Sequence, residues 1–266
     1  MTVRERLKDK KKVIVKVGSS SLTYEETGEI NYFRLERLIR EITDLKNMGK
    51  DVILVTSGAI AVGTKTMNLP SRPNCLEEKQ AVAAVGQANL MMIYQKIFSE
   101  YNQNVAQILI TKNLIDQPVR RQNAQNTLNA LLKMGAIPIV NENDTVATEE
   151  IVYGDNDTLS AIVSKLVRAD LLILLSDIDG LYEEDPRKNN DAKLITEVSE
   201  ITDDVQHMAG GAGSVVGTGG MATKIAAAKI ATSNGIDMVI ANASVDNVIE
   251  KIVYGEQVGT LFTAKK

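Results

Sequence analysis

Apolar residues fall along this chain in short runs set between helical patterns. The runs "VIVKV" (13–17), "DVILVT" (51–56), "VAQILI" (105–110), "AIPIV" (136–140), "LLILLS" (171–176) and "IDMVIA" (236–241) have the length of strands. Their apolarity is nearly continuous rather than alternating, so strands buried on both faces are expected, as in a parallel sheet. Between them, apolar residues recur every three to four positions. Leu35, Leu38, Ile39, Ile42 and Leu45 make one stripe, and Leu159, Ile162, Val163 and Leu166 another. Gly49 in "KNMGKD" and Gly135 in "LKMGAIP" stand where a helix would end just ahead of a strand. The alternation predicts an α/β fold, a three-layer helix-sheet-helix sandwich around a mainly parallel sheet. No linker, low-complexity segment or repeat divides the 266 residues, so a single domain is expected.

Ligands of such sheets gather beyond the carboxyl ends of the strands. The residues there are "KVGSSS" (16–21), "TSGAI" (56–60), "NENDTV" (141–146) and "SDIDGLY" (176–182). Lys16 lies inside an apolar strand with Gly18 close behind. Burying its ammonium is costly unless an anion meets it; the alternative is an edge-strand lysine that blocks pairing. Asp155, Asn156 and Asp157 open a helical stretch where a single N-cap would suffice. Spare groups there can align a lysine or bind an ammonium. Asn141, Glu142, Asn143 and Asp144 likewise offer more hydrogen-bonding capacity than a turn requires. The stretch "SVVGTGGMATKIAAAKIA" (214–231) puts glycines ahead of an alanine-rich helix with Lys224 in its first turn. It is not a Walker A loop, because Lys224 is followed by Ile225. It fits the dinucleotide fingerprint only formally, because the preceding "HMAGGAGS" cannot supply the strand that motif follows. A glycine loop delivering phosphate to a helix N-terminus remains, with Lys224 as a point charge; a surface loop capping the helix is the alternative.

Composition narrows the chemistry. The formal charge is −4, there is no Trp, and no basic stripe extends beyond "KDKKK" (8–12), which argues against nucleic acid as a partner. Cys75 is the single cysteine, so no intrachain disulfide can form and a cytoplasmic location is expected. His207 is the single histidine, and its glycine-rich neighbourhood suggests a loop residue rather than part of a triad or metal site. No apolar run reaches the ~18 residues of a membrane span, and no signal-peptide core is present. Two lysines, glycine loops and no candidate nucleophile point to phosphoryl transfer, which needs chiefly positioning and charge neutralisation.

The stretches "IVKVGSSSLT", "VTSGAIAVG", "AAVGQ", "INENDTVAT", "GDNDTLSA", "SDIDGLYEEDPR" and "GTGGMATK" together resemble the amino acid kinase family over nearly the whole chain. The combination of "TSGAIAVG" with "NEND" and "GDND" is similar to the members that phosphorylate the γ-carboxylate of L-glutamate at the first step of proline synthesis. The resemblance implies an amino acid kinase fold with an acceptor-binding half at roughly residues 1–168 and a nucleotide-binding half at roughly 169–266. It implies that Lys16 and Lys224 neutralise the moving phosphoryl group and that Asp157 orients both. Ser57, Asp144 and Asn156 would bind glutamate. Ser176, Asp177 and the segment Thr218, Gly219, Gly220, Met221, Ala222, Thr223 and Lys224 would bind ATP. Backbone N–H groups at Gly18, Ser19 and Gly58 would support the acceptor side. Mg²⁺ would bridge ATP oxygens with few or no protein ligands. Feedback inhibition by proline, a homo-oligomer and transient contact with a glutamyl phosphate reductase are also implied, with no membrane association. Many such kinases carry a C-terminal PUA domain; here the sequence stops after "VGTLFTAKK", so none is expected. Acetylglutamate, aspartate, carbamate or UMP as acceptor, and a non-catalytic nucleotide or proline sensor, are the competing readings.

Overall fold

The apolar runs become strands. A computed structural model describes residues 2–24, 27–111, 117–146, 156–189, 191–209 and 220–265. It places β1 (Lys12–Val17), β2 (Asp51–Val55), β3 (Val105–Ile110), β4 (Ile137–Glu142), β5 (Leu171–Ser176) and β7 (Asp237–Asn242) where the runs predict strands. Two short strands join them, β6 (Glu197–Val198) and β8 (Thr260–Phe262). Two or three residues carry no periodicity of their own, so the sequence pattern does not reveal them. Among the described residues the strands form one sheet in the order β3-β4-β2-β1-β5-β7-β8-β6. Every neighbouring pair runs parallel except β7 and β8.

Strand alternation sorts the side chains of β1 into two layers. Val13, Val15 and Val17 enter a core with residues of α2 (Tyr32–Asn47), α4 (Leu76–Glu100) and α9 (Val248–Val253). Ile14 enters the opposite core with residues of α5 (Pro118–Lys133), α6 (Asn156–Val167) and α8 (Met221–Ser233). This is the expected three-layer sandwich. Both predicted stripes are buried, Leu35 to Leu45 on α2 and Leu159 to Leu166 on α6; fully burying each such side chain contributes about 1.5–3 kcal/mol. Gly49 and Gly135 end α2 and α5 at φ +78° and +81°, a left-handed turn that a side chain resists. Short helices α1 (Ser19–Leu22) and α3 (Ala59–Thr66) follow β1 and β2.

Two expectations are corrected and one alternative reading is removed. β3 is not buried on both faces: it is the sheet edge, and Leu109 is 39% exposed. Lys16 is not an edge-strand lysine, since β1 lies between β2 and β5. His207 is not in a loop; it lies exposed in α7 (Asp203–Ala209), with Nδ1 2.7 Å from the Asp203 carbonyl.

The sheet also has a switch point. β2 leads away from β1 on one side, and β5 returns on the other. The carboxyl ends of β1 and β5 therefore face a crevice of the kind that receives ligands in open α/β sheets.

Candidate active site

Lys16 alternates with Val15 and Val17, so it shares the face of Ile14 and is directed toward α6 and α8. Asp157, in the first turn of α6, waits there, with Oδ1 2.5 Å from Lys16 Nζ. Its other oxygen lies 3.1 Å from Lys224 Nζ and 2.9 Å from Thr223 Oγ1. Lys224 closes the first turn of α8, whose N-cap is Gly220. Lys16 is 6% exposed, Lys224 3% and Asp157 fully buried. Burial alone would raise the Asp157 carboxyl, but the two lysines outweigh it and hold the group below the ordinary carboxylate value. One anion thus fixes two buried cations drawn from opposite ends of the chain. The helix dipole at the start of α6 adds to the stabilisation of that anion.

A second cluster stands where β2 and β4 end. Asn156 Nδ2 lies 2.6 Å from the Thr56 carbonyl, 2.8 Å from Ser57 Oγ and 2.9 Å from Asn141 Oδ1. Asn141 Oδ1 also accepts from the Glu142 N–H at 2.9 Å, which fixes the orientation of that amide. Its Nδ2 donates to Gln87 Oε1 at 2.8 Å. Asn156 is therefore a helix-start residue whose side chain reaches across to β2 and β4 rather than capping α6. Ser57 Oγ accepts here, so its own O–H remains available to donate. The next residue, Gly58, adopts φ +106° and is the N-cap of α3, so free N–H groups of that helix open beside Ser57. Thr56 Oγ1 lies 2.7 Å from the hydroxyl of Tyr94, whose burial raises its pKa far above normal.

Both clusters line one cavity of about 690 Å³. Lys16, Ser57, Asp144, Asn156, Asp157, Ser176, Asp177 and Lys224, all singled out in the sequence, lie on its wall. Asp144 is half-buried, and burial pushes its carboxyl up to about 6 against the opposing charge of Arg72. Ser176 donates to Asp177 Oδ1 at 2.9 Å at the end of β5. Thr223 joins through Asp157. Gly220, Met221 and Ala222 open α8 but are not among the described residues of the cavity wall; Met221 packs half-buried against the core and Ala222 is exposed. Thr218, Gly219 and Asp155 lie outside the described residues.

The wall also contains residues that the sequence did not single out, Lys65 and Arg72 among them. An arginine fixed between prolines in "PSRP" was the available signal. Among the described residues, no group of three or more His, Cys, Asp or Glu side chains could hold a metal, and no helix is long and apolar enough to cross a membrane. The carboxylates on the cavity wall would hold Mg²⁺ only with most of its ligands supplied from outside the protein, and Asp177, exposed beside Ser176, is a candidate to share in that.

Comparisons with known proteins identify the family and the fold. The profile of the amino acid kinase family matches residues 11–242. A glutamate 5-kinase of Clostridium perfringens is 54% identical over 99% of this chain and 99% of its own. One from Clostridium tetani is 57% identical over 99% of this chain and 98% of its own. In three dimensions the chain superposes on UMP kinase from Bacillus anthracis with a TM-score of 0.64, covering 97% of each chain at 19% identity, which reflects a shared fold.

Proposed function

The chain belongs to the amino acid kinase family, in its glutamate 5-kinase branch, and from that premise we propose that it transfers the γ-phosphoryl group of ATP to the γ-carboxylate of L-glutamate. The products are ADP and γ-glutamyl phosphate. The observation that carries the reading is the shared grip of Asp157 on Lys16 and Lys224 at the switch point of the sheet.

The mechanism follows from charge. A carboxylate oxygen of glutamate attacks phosphorus in line, and the bond from phosphorus to the bridging oxygen of ADP breaks. A carboxylate is already ionised near neutrality, so no general base is required. Positioning and neutralisation of the three phosphoryl oxygens do the rest. Lys16 and Lys224 take that role, and Asp157 holds both ammonium groups in register before substrate arrives. Ser57 donates to the acceptor carboxylate, while Asp144 and Asn156 receive the α-ammonium. Ser176, Asp177 and the segment leading into α8 hold ATP. Mg²⁺ accompanying the nucleotide supplies further neutralisation of the phosphates.

An ATP-dependent hydroxamate assay tests the reading, because hydroxylamine traps an acyl phosphate directly. Glutamate-dependent hydroxamate with ADP release is expected. ADP release with another acceptor and none with glutamate would assign the chain a different substrate; ATP binding with no ADP release would make it a sensor. Proline shares the α-carboxylate and cationic nitrogen of glutamate but has no γ-carboxylate. It is expected to raise the glutamate KM without lowering kcat, and unchanged turnover at saturating proline and limiting glutamate would remove it as a ligand.

A further inference from the structure

Asp144 by itself recognises only an ammonium group. An amine such as 4-aminobutyrate carries that group together with the carboxylate to be phosphorylated. What distinguishes an α-amino acid from it is a second carboxylate on the same carbon as the nitrogen. On the same cavity wall, Lys16 and Lys224 are engaged by Asp157. A cation near Asp144 has to come from elsewhere.

The connection from α3 to α4 supplies one. It reads "MNLPSRPNC", and Arg72 lies on the wall of the same cavity as Asp144. The two charges act on each other, since Arg72 opposes the effect of burial at Asp144. The loop is anchored on both sides of the arginine. Asn68 turns with φ +53°, the Leu69 N–H donates to the Thr64 carbonyl at 3.0 Å, and Leu69 packs on the small apolar cluster of Ala59, Ile60, Val82 and Ala83. Pro73 is buried directly after Arg72. Pro70 and Pro73 fix their own φ and restrict Leu69 and Arg72, so the loop loses little freedom when a ligand arrives. Lys65 also reaches the wall, but its stem is committed to the loop at Gly28, where an added Cβ would lie 3.1 Å from Lys65 Cε. A guanidinium, unlike an ammonium, meets a carboxylate with two parallel N–H donors.

We infer that Arg72 is a specificity-determining residue of the acceptor site, receiving the α-carboxylate of the amino acid whose α-ammonium rests on Asp144. The inference rests on the glutamate reading above. Asp144 and Arg72 then form a matched pair for a zwitterion, and the γ-carboxylate is left to extend toward Ser57 and the lysines.

Removing one charged group from either substrate or protein separates the two roles. The unaltered chain, Arg72→Ala, Arg72→Lys and Asp144→Asn are assayed by ADP release with glutamate, with 4-aminobutyrate, which lacks the α-carboxylate, and with glutarate, which lacks the α-amino group. Arg72→Ala should lose about ten- to a hundredfold in kcat/KM for glutamate, the size of a charge-assisted contact, and chiefly through KM. It should lose comparably on glutarate and stay within about threefold on 4-aminobutyrate, a change below ~0.7 kcal/mol. Arg72→Lys should show the same pattern with a smaller loss, which keeps the test intact if the alanine variant folds poorly. Asp144→Asn should show the mirror pattern, sparing glutarate. The KM for ATP and the melting temperature should not move in Arg72→Lys. Equal losses on glutamate and 4-aminobutyrate would make Arg72 a loop-folding residue and overturn the proposal, as would an Arg72→Ala enzyme within threefold of the parent on glutamate. If the unaltered chain shows no preference for glutamate over both analogues, the glutamate reading itself falls, and this inference with it.

Discussion

Lys16 occupies a strand position that packing alone would give to an aliphatic side chain. Its neighbours Val13, Ile14, Val15 and Val17 are all buried, and it is buried with them. Asp157 makes that tolerable, and the cost of breaking the arrangement should appear in catalysis. Charge builds on the phosphoryl oxygens during transfer, so on the proposed mechanism each lysine would stabilise the transition state more than the ground state. Lys16→Met and Lys224→Met are each expected to lower kcat by about 10²–10³ with a smaller change in the glutamate KM. Retention of kcat within about threefold in both, on protein shown to be folded by its melting curve, would remove them from the phosphoryl site. Asp144 makes a different prediction. Burial lifts its carboxyl to about 6 while Arg72 pulls the other way. On the proposed function its ionised form receives the ammonium of glutamate, so kcat/KM for glutamate should rise with pH through about 6 and level off above it, because that ratio reports the free enzyme. Asp144→Asn should lower the plateau and flatten the acid limb; an unchanged limb would locate the titration in another group. The raised value also sets the sign for stability. The folded state holds this proton more tightly than the unfolded one, so Asp144 contributes stability at low pH that is lost as pH rises from about 4 through about 6. Lys16 was legible in the sequence because a charge inside an apolar run demands a partner, Lys224 because it follows a glycine loop at a helix start, and Asp157 because it stands among more polar groups than one N-cap needs. Arg72 was not: its place between prolines in "PSRP" signals a stiff loop, but nothing in the sequence shows that a cavity lies beside it.

At the scale of elements, the strands were legible and their surroundings less so. Six runs announced six strands, but the same apolarity in "VAQILI" belongs to a half-exposed edge, because run length says nothing of what lies beyond the sheet. The motif "AAVGQ" shows what spacing cannot convey. A Cβ on Gly86 would lie 1.8 Å from the Ala59 carbonyl oxygen and 2.5 Å from the Gly63 nitrogen, and one on Gly63 would lie 2.0 Å from the Val82 carbonyl oxygen. Helices α3 and α4 therefore cross glycine to glycine, backbone against backbone. That crossing seats the start of α3, and with it Ser57 and Gly58, over the cavity. Gly86→Ala is expected to force the helices apart at a cost of about 3 kcal/mol, a fall in Tm of about 6–12 °C, with a raised glutamate KM. Gly49→Ala is the control. Its φ is positive, at +78°, unlike that of the helical Gly86, and nothing lies within 4 Å of the added carbon. It should cost only about 1 kcal/mol and leave the KM unchanged. Equal losses of Tm in the two variants would mean that the α3–α4 contact at Gly86 costs no more than left-handed strain at Gly49, and would overturn the close-crossing reading.

For the whole molecule, the decisive feature is where the order of the sheet reverses. In the proposed function β1 and β2 lie on the acceptor side and β5 and β7 on the nucleotide side, and β1 and β5 are neighbours. The two sides are therefore one continuous sheet, and on that proposal their ligands would meet above a single seam. Asp157 is the side chain that spans it. One oxygen holds Lys16 of β1, and the other holds Lys224 and Thr223 of α8. A nucleotide that draws Lys224 toward its phosphates must act on Asp157, and through Asp157 on Lys16 and on its helix neighbour Asn156, which is hydrogen-bonded to Ser57. Glutamate and nucleotide should consequently bind with coupled affinities. With a non-hydrolysable ATP analogue and Mg²⁺, calorimetry on the unaltered chain is expected to show the glutamate Kd shifting by about fivefold or more when the analogue is bound, the lower range of ordinary coupling energies. The analogue's own Kd must shift by the same factor when glutamate is present, since linkage is reciprocal. Asp157→Asn keeps the shape of the side chain and removes its charge. The shift should fall within about twofold in that variant, less than ~0.5 kcal/mol of coupling, even where each ligand still binds alone. Coupling that survives Asp157→Asn unchanged would mean that the two sites communicate through the sheet or the helices rather than through this carboxylate. No coupling in the unaltered chain would make Asp157 a local clamp on two lysines and nothing more.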